Sequence, residues 1–232
     1  MDVLTCLIRE QPNALLHLAR TKLLTINETL NGKLAEIEQS HYLHTEADVG
    51  RASDLYLINP VNIAIQKLLP RGGRIFCRAE QVGRKKNRTD RRWTYRRNGQ
   101  SVDIAILELK APFVLKSNDF KYAMVTTSKA REKNDAAQSM ENSTHLKRNA
   151  ITVAKQTKKY ADDLGVTDIA VFDWNAMFVF DYNNIDYDSS NPRPAKRTWF
   201  RETDVMPARG HTFRSMLLGL LIRGLQKNGI IN

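Results

Sequence analysis

Asp90, Glu108 and Lys110 are the residues in this chain whose types and spacing could do chemistry together. Asp90 opens the stretch Asp90-Arg91-Arg92-Trp93-Thr94-Tyr95, and Glu108 and Lys110 close the apolar run that begins at Val102. Between the two stretches, Arg97-Asn98-Gly99-Gln100 contains Asn-Gly, the strongest short-range hairpin signal. Side chains on a strand alternate faces, so Glu108 and Lys110 share one face, and Pro112 stops the strand behind them. A hairpin would carry Asp90 across to the same end. Two carboxylates beside an ammonium suit metal-dependent phosphodiester hydrolysis. A hard cation such as Mg²⁺ takes oxygen ligands from one or two carboxylates and a substrate phosphate. It lowers the pKa of bound water and polarises the phosphate, while a lysine holds the water or the developing charge. Asp103 is a rival second carboxylate, but five residues along a regular strand put it on the face opposite Glu108, so Asp90 is preferred.

With these residues in place, the chain resembles the PD-(D/E)xK nuclease superfamily. Glu108-Leu109-Lys110 matches (D/E)xK, and Thr89-Asp90 stands for Pro-Asp, with Thr89 departing from the common proline. Further on, Gln156-Thr157-Lys158-Lys159-Tyr160 resembles the QxxxY helix motif of the RecB-like branch, and residues four apart share a helix face. Together with Phe172-Asp173-Trp174, the pattern is also similar to uncharacterised nuclease-like proteins of filamentous fungi. The resemblance covers roughly residues 45–182. It implies an α/β fold with a restriction-endonuclease-like αβββαβ core and a mixed sheet. It also implies Mg²⁺ or Mn²⁺ held by Asp90, Glu108 and the Leu109 backbone carbonyl, with Lys110 orienting the attacking water. Gln156 and Tyr160 would support the site. A helix ahead of the hairpin often supplies a further acid in this superfamily; Glu46 is the candidate, with Asp54 behind it.

Charge points to a polyanionic partner. The chain carries a net charge of +11 over 232 residues. Eleven Lys/Arg lie between Arg71 and Arg97 against only Glu80 and Asp90, so most of the excess sits on the arm that bears the proposed site. A clustered basic footprint is what phosphate-backbone binding requires. Arg84, Lys85, Lys86, Arg88, Arg91 and Arg92 are the candidates for nucleic acid, DNA favoured over RNA. Trp93 and Tyr95 offer stacking surfaces for bases, or core side chains at period two. The alternative of another class is a non-catalytic nucleic-acid-binding or interaction module, an effector included, on the same scaffold. There is no GxxxxGK[ST] loop, and Cys6 and Cys77 give neither zinc spacing nor a disulfide framework. His17, His41 and His44 form no ligand set. The apolar patch Val3–Ile8 is too brief for a signal peptide and no segment reaches 18 apolar residues, so an intracellular protein of nucleus or cytoplasm, without membrane contact, is expected.

The flanking elements must position that hairpin. Residues 1–44 read as an N-terminal helical extension: Asn13 could cap one helix, and Leu30, Leu34 and Ile37 mark a second. Residues 45–182 form the proposed core and 183–232 a loop and closing helix, all in one domain. Thr45 is the expected N-cap of a helix with Glu46 in its first turn, interrupted at Pro60. Strands are predicted over 74–80, 91–95, 102–110, 168–173 and 176–181. Ser117–Asn149 is polar, with too few apolar residues for a core element, and reads as a surface insertion or flap. Leu146–Leu164 reads as a strong helix stopped by Gly165, and Thr212–Lys227 as an amphipathic closing helix. Asp173 and Asp181 read as polar strand ends, not ligands.

Overall fold

The computed structural model describes residues 4–26, 43–82, 88–140, 143–186 and 192–232. In chain order these form β1 (Leu7–Glu10), α1 (Asn13–Thr25), α2 (Glu46–Ser53), a π turn (Asp54–Ile58) and α3 (Asn59–Lys67). Next come β2 (Arg74–Val82), β3 (Arg88–Arg97), β4 (Gln100–Leu109), α4 (Ser117–Lys121), β5 (Met124–Val125) and α5 (Ala130–Gln138). α6 (Asn149–Leu164), β6 (Asp168–Phe172), β7 (Ala176–Asp181), β8 (Lys196–Arg201) and α7 (Phe213–Lys227) complete the described elements. All eight strands join one mixed sheet in the order β2-β3-β4-β6-β7-β8-β1-β5. β2, β3 and β4 form an antiparallel meander, β4 and β6 run parallel, and β8, β1 and β5 run parallel at the other side. Helices cover both faces: α1, α2, α3 and α7 pack against Ala105, Leu107 and Leu109, while α4 and α6 pack against Ile106, Val171 and Phe178. The fold is α/β, and the segments expected as extension, core and tail all contribute to its sheet.

The hairpin forms where Asn-Gly placed it. Asn98 and Gly99 have φ of 49° and 76°, the double left-handed turn whose twist matches paired strands. β4 then departs from regularity. Trp93 faces Ala105 but Thr94 faces Asp103, so Ile104 is an extra residue, a β-bulge. Ile104 and Ala105 both enter the same core cluster as Leu107 and Leu109. The parity of the strand is thereby reversed, and Asp103 lies on the Glu108 face, contrary to the expectation from regular alternation.

Thr45 caps α2 as expected, accepting from Asp48 N at 3.1 Å while Asp48 accepts from Thr45 N at 3.0 Å. Pro60 does not stop this helix. It lacks the N–H that would bond the Tyr56 carbonyl, the turn widens so that Asn59 N–H reaches Asp54 O, and Arg214 Nε donates to Tyr56 O at 2.6 Å.

Three expectations are corrected. The N-terminal segment is not wholly helical: β1 sits inside the sheet between β8 and β5, while the predicted second helix around Leu30–Ile37 lies outside the described residues. Residues 117–140 are built into the fold as α4, β5 and α5, because four of the apolar residues there, Phe120, Ala123, Ala130 and Ala137, are buried. α7 is buried nearly all round, not amphipathic, and a Cβ at Gly224 would meet the Ile104 carbonyl of the bulge at 2.7 Å. Strand β8 falls between the expected loop and the closing helix, where the sequence pattern predicts no element.

Candidate active site

β3 and β4 bring Asp90 and Glu108 side by side. Arg91 pairs with Leu107, so the next rung sets Asp90 opposite Glu108 with both side chains on the α6 face. Asp90 Oδ2 accepts from the Leu109 N–H at 2.7 Å, which fixes its carboxylate at the strand end. A strand residue's N–H and C=O point to the same side, so the Leu109 carbonyl is turned toward Asp90 as well. The following residue faces the other way, with Lys110 N donating to Phe172 O on β6.

Glu108 is the centre of the cluster and is only 3% exposed. Lys110 Nζ donates to its Oε1 at 2.7 Å, and Gln156 Nε2, from α6, donates to the same oxygen at 2.5 Å. Tyr160 lies 2.7 Å from Gln156 Nε2 and 3.2 Å from Glu108 Oε2, and its hydroxyl donates to the Arg88 carbonyl at 2.7 Å. Gln156 and Tyr160 thus tie α6 to both strands of the hairpin, as the i, i+4 spacing on that helix allows. Burial raises the pKa of Glu108 and the negative charge of Asp90 raises it further, while Lys110 and Tyr160 draw it back. Burial, then the Glu108 charge, raises Tyr160, which stays a neutral phenol at ordinary pH.

Other predicted residues stand elsewhere. Glu46 is exposed in the first turn of α2, and among the described residues no hydrogen bond or ion pair joins it to Asp90, Glu108 or Lys110. Asp54 receives Arg91 in a two-point pair, with Nε–Oδ1 at 2.7 Å and Nη2–Oδ2 at 2.5 Å, and Arg91 Nη1 donates to the Asp90 carbonyl at 2.7 Å. Asp54 therefore braces the strand that carries Asp90. Arg91 is committed to that brace and Arg92 to Asp103 at 3.2 Å, so neither is the open phosphate contact expected of it. Asp103 also accepts from Thr94 Oγ1 at 2.6 Å, which satisfies it away from Glu108 despite the shared face. Arg88 is exposed beside the site, and Arg84, Lys85 and Lys86 lie outside the described residues. Trp93 and Tyr95 are core: Trp93 is fully buried and donates from Nε1 to Asn62 Oδ1 at 2.7 Å.

Asp173 has a role its position did not reveal. Its Oδ2 accepts from Leu115 N at 2.9 Å and its Oδ1 from Asn175 N and Ala176 N at 3.0 and 2.9 Å. It anchors the segment that leaves Lys110, and the Asp-Trp-Asn turn sequence was the available signal.

The donors at the hairpin end are hard oxygens: two carboxylates and a carbonyl turned toward them. That set fits Mg²⁺ or Mn²⁺, and a cation would relieve the repulsion between Asp90 and Glu108. Among the described residues no group of three or more His, Cys, Asp and Glu converges, so the fit rests on these two carboxylates with the carbonyl. No helix among the described residues is long and apolar enough to cross a membrane. No protein family, curated protein or solved structure matches this chain.

Proposed function

We propose that the chain is a Mg²⁺- or Mn²⁺-dependent nuclease that hydrolyses phosphodiester bonds, with DNA the favoured substrate. The observation that carries this reading is the convergence on one buried carboxylate, Glu108, of Lys110 from its own strand and Gln156 and Tyr160 from α6, with Asp90 opposite. The meander β2–β4, the parallel strand β6 beyond it and α6 between them agree with a restriction-endonuclease-like core. Asp90, Glu108 and the Leu109 carbonyl would hold the cation, which supplies a water of lowered pKa and a polarised phosphate. Lys110 lies 2.7 Å from Glu108, where its ammonium orients a water hydrogen-bonded to that carboxylate and stabilises the charge that develops on the phosphate. Gln156 holds the carboxylate in place, and Tyr160 contributes a neutral hydroxyl that locks the Gln156 amide. Arg88, with the basic run that precedes it, supplies attraction for the phosphate backbone.

The test is cleavage of circular plasmid and of single-stranded RNA by purified protein in Mg²⁺, Mn²⁺ or EDTA. Nicking is expected in either metal, and none in EDTA. Lys110→Ala is expected to fold normally and lose activity by about 100-fold or more. Undiminished cleavage by that variant would remove Lys110 from the reaction. Salt-sensitive binding without cleavage in any metal would identify a non-catalytic module instead.

A further inference from the structure

A second concentration of positive charge lies at the opposite side of the sheet, on the same face as Glu108. Arg197 of β8 is 8% exposed, yet none of its hydrogen bonds or ion pairs among the described residues reaches a carboxylate. Its Nε points to Met124 Sδ at 2.9 Å and its guanidinium stacks on the Phe178 ring at 5.1 Å. Its register partner on β1 is another cation, Arg9. Burial, and then the charge of Arg9, lowers the Arg197 pKa to about 10. A buried charge without a counter-ion is costly, and this one is set next to like charge. Beside it a cavity of about 570 Å³ opens, lined among others by Arg9, Met124, Thr126, Lys129, Glu132 and Lys133. Met124 joins the two, touching Arg197 and lining the cavity. Three basic side chains thus line the cavity beside one carboxylate, with Arg197 behind them.

We propose that this cavity binds a phosphomonoester, a ligand site separate from the Asp90–Glu108 cluster and independent of the nuclease reading. A dianionic phosphate has charge and acceptor oxygens enough to engage both a guanidinium fork and ammonium groups at once, which a single carboxylate does not. The volume lies within the range of small-molecule pockets and leaves room for an organic group beyond the phosphate. Row by row across the sheet, Arg9 and Arg197 are level with Phe180, Ile169 and Ile106, two residues before Glu108. At about 4.8 Å per strand, three steps separate β4 from β8 by roughly 14 Å. The phosphate is therefore either the end of a nucleic-acid strand or part of a free small molecule.

Binding is measured at constant ionic strength in EDTA, with inorganic phosphate, adenosine 5′-monophosphate, adenosine, and a short oligonucleotide with a 5′-phosphate or a 5′-hydroxyl. Saturable binding of phosphate and of the monophosphate, in competition, without binding of adenosine is the expected result. The double variant Arg9→Gln/Lys133→Gln should weaken both at least tenfold while its circular dichroism is unchanged. Arg197→Met should melt higher than the native chain in phosphate-free buffer and lose the stabilisation that phosphate confers. A 5′-phosphate advantage of tenfold or more in the oligonucleotide, lost in the double variant, assigns the strand end as the source. Equal oligonucleotides alongside tight monophosphate binding assign a free phosphoester. Absence of saturable phosphate binding, or affinities unchanged in the double variant, would overturn the proposal.

Discussion

Two carboxylate pairs on the sheet, Asp168 with Asp181 and Asp90 with Glu108, differ in charge balance. Asp168 at the start of β6 and Asp181 at the end of β7 are register partners on the α7 side. Arg223 Nε donates to Asp168 at 2.7 Å, and Lys227 lies 2.9 Å from Asp168 and 2.8 Å from Asp181. Glu10, 3.2 Å from Lys196, also reaches Arg223 at 3.7 Å, so among the described residues three carboxylates meet three cations there, and the cluster fastens α7 to the sheet. At the hairpin end, on the opposite face, Asp90 and Glu108 share one ammonium, and it touches Glu108 alone. The pKa values record the difference. Burial pushes Asp181 up, but Lys227 and Arg223 outweigh it and hold the carboxyl below its ordinary value, whereas Glu108 ends above its own. Paired carboxylates are an ordinary means of joining elements. Among the described residues, the pair of buried Glu108 and half-buried Asp90 is one positive charge short, the imbalance on which the proposed cation site rests.

Removing one carboxylate charge at each cluster tests this contrast most strongly. Asp168→Asn takes from Arg223 its nearest carboxylate and leaves Lys227 on Asp181 alone, and should cost about 3 kcal/mol in urea unfolding. Glu108→Gln relieves a repulsion and should cost little or stabilise the fold. Similar losses at both sites would erase the distinction. Next in size is the response to metal: Mn²⁺ at about 100 times its dissociation constant should stabilise the native chain by roughly 2.7 kcal/mol. Glu108→Gln should abolish that response, and Asp168→Asn should keep it. Gln156→Ala removes a support and not a ligand, so a loss of about 10-fold in metal affinity or cleavage is expected; no change would make the Gln156 bond incidental.

Stability against pH should carry opposite signs at the two clusters. Glu108 has a folded pKa above its unfolded one, so it favours the fold in acid, and that contribution is lost as pH rises through the folded value. Asp181 has a lowered pKa, so it contributes above its unfolded pKa and is lost as pH falls through the folded value. With rising pH, the native chain should lose ground to Glu108→Gln and gain on Asp181→Asn in thermal melts. The same slope for both would show that the clusters are not electrostatically distinct.

The hairpin and α6 were legible because local signals sufficed: Asn98-Gly99 sets the turn, the run to Leu109 sets the strand, and Gly165, at φ 67°, stops α6. Gln156 and Tyr160 were legible by spacing, and their contact with Glu108 follows from α6 crossing that face. What failed was information that lies across the fold. Arg91 and Arg92 read as a basic run because nothing nearby in sequence shows Asp54 and Asp103 as their partners. The bulge was hidden because Ile104 and Ala105 are two apolar residues in an apolar strand, and it alone decides the face of Asp103. β1 has only four residues next to leucine-rich helical sequence, and β8 carries Lys196, Arg197 and Arg201, so neither shows the pattern of an interior strand.

The wide turn between α2 and α3 sets a rotational phase. Val49, Ser53, Leu57, Val61 and Ile65 are all buried although each lies four residues after the last. At 3.6 residues per turn a stripe of period four drifts by about 40° each step, so over this span it would rotate by roughly 160° and face water. The under-wound turn holds the stripe in line with the sheet. Deleting one residue from 54–58 would therefore turn α3 by about 100° relative to α2, burying Ile63 or exposing Val61, and would carry Asp54 away from Arg91. The carboxylate of Asp90 is thus indexed, through one brace, to the winding of a helix on the far face of the sheet.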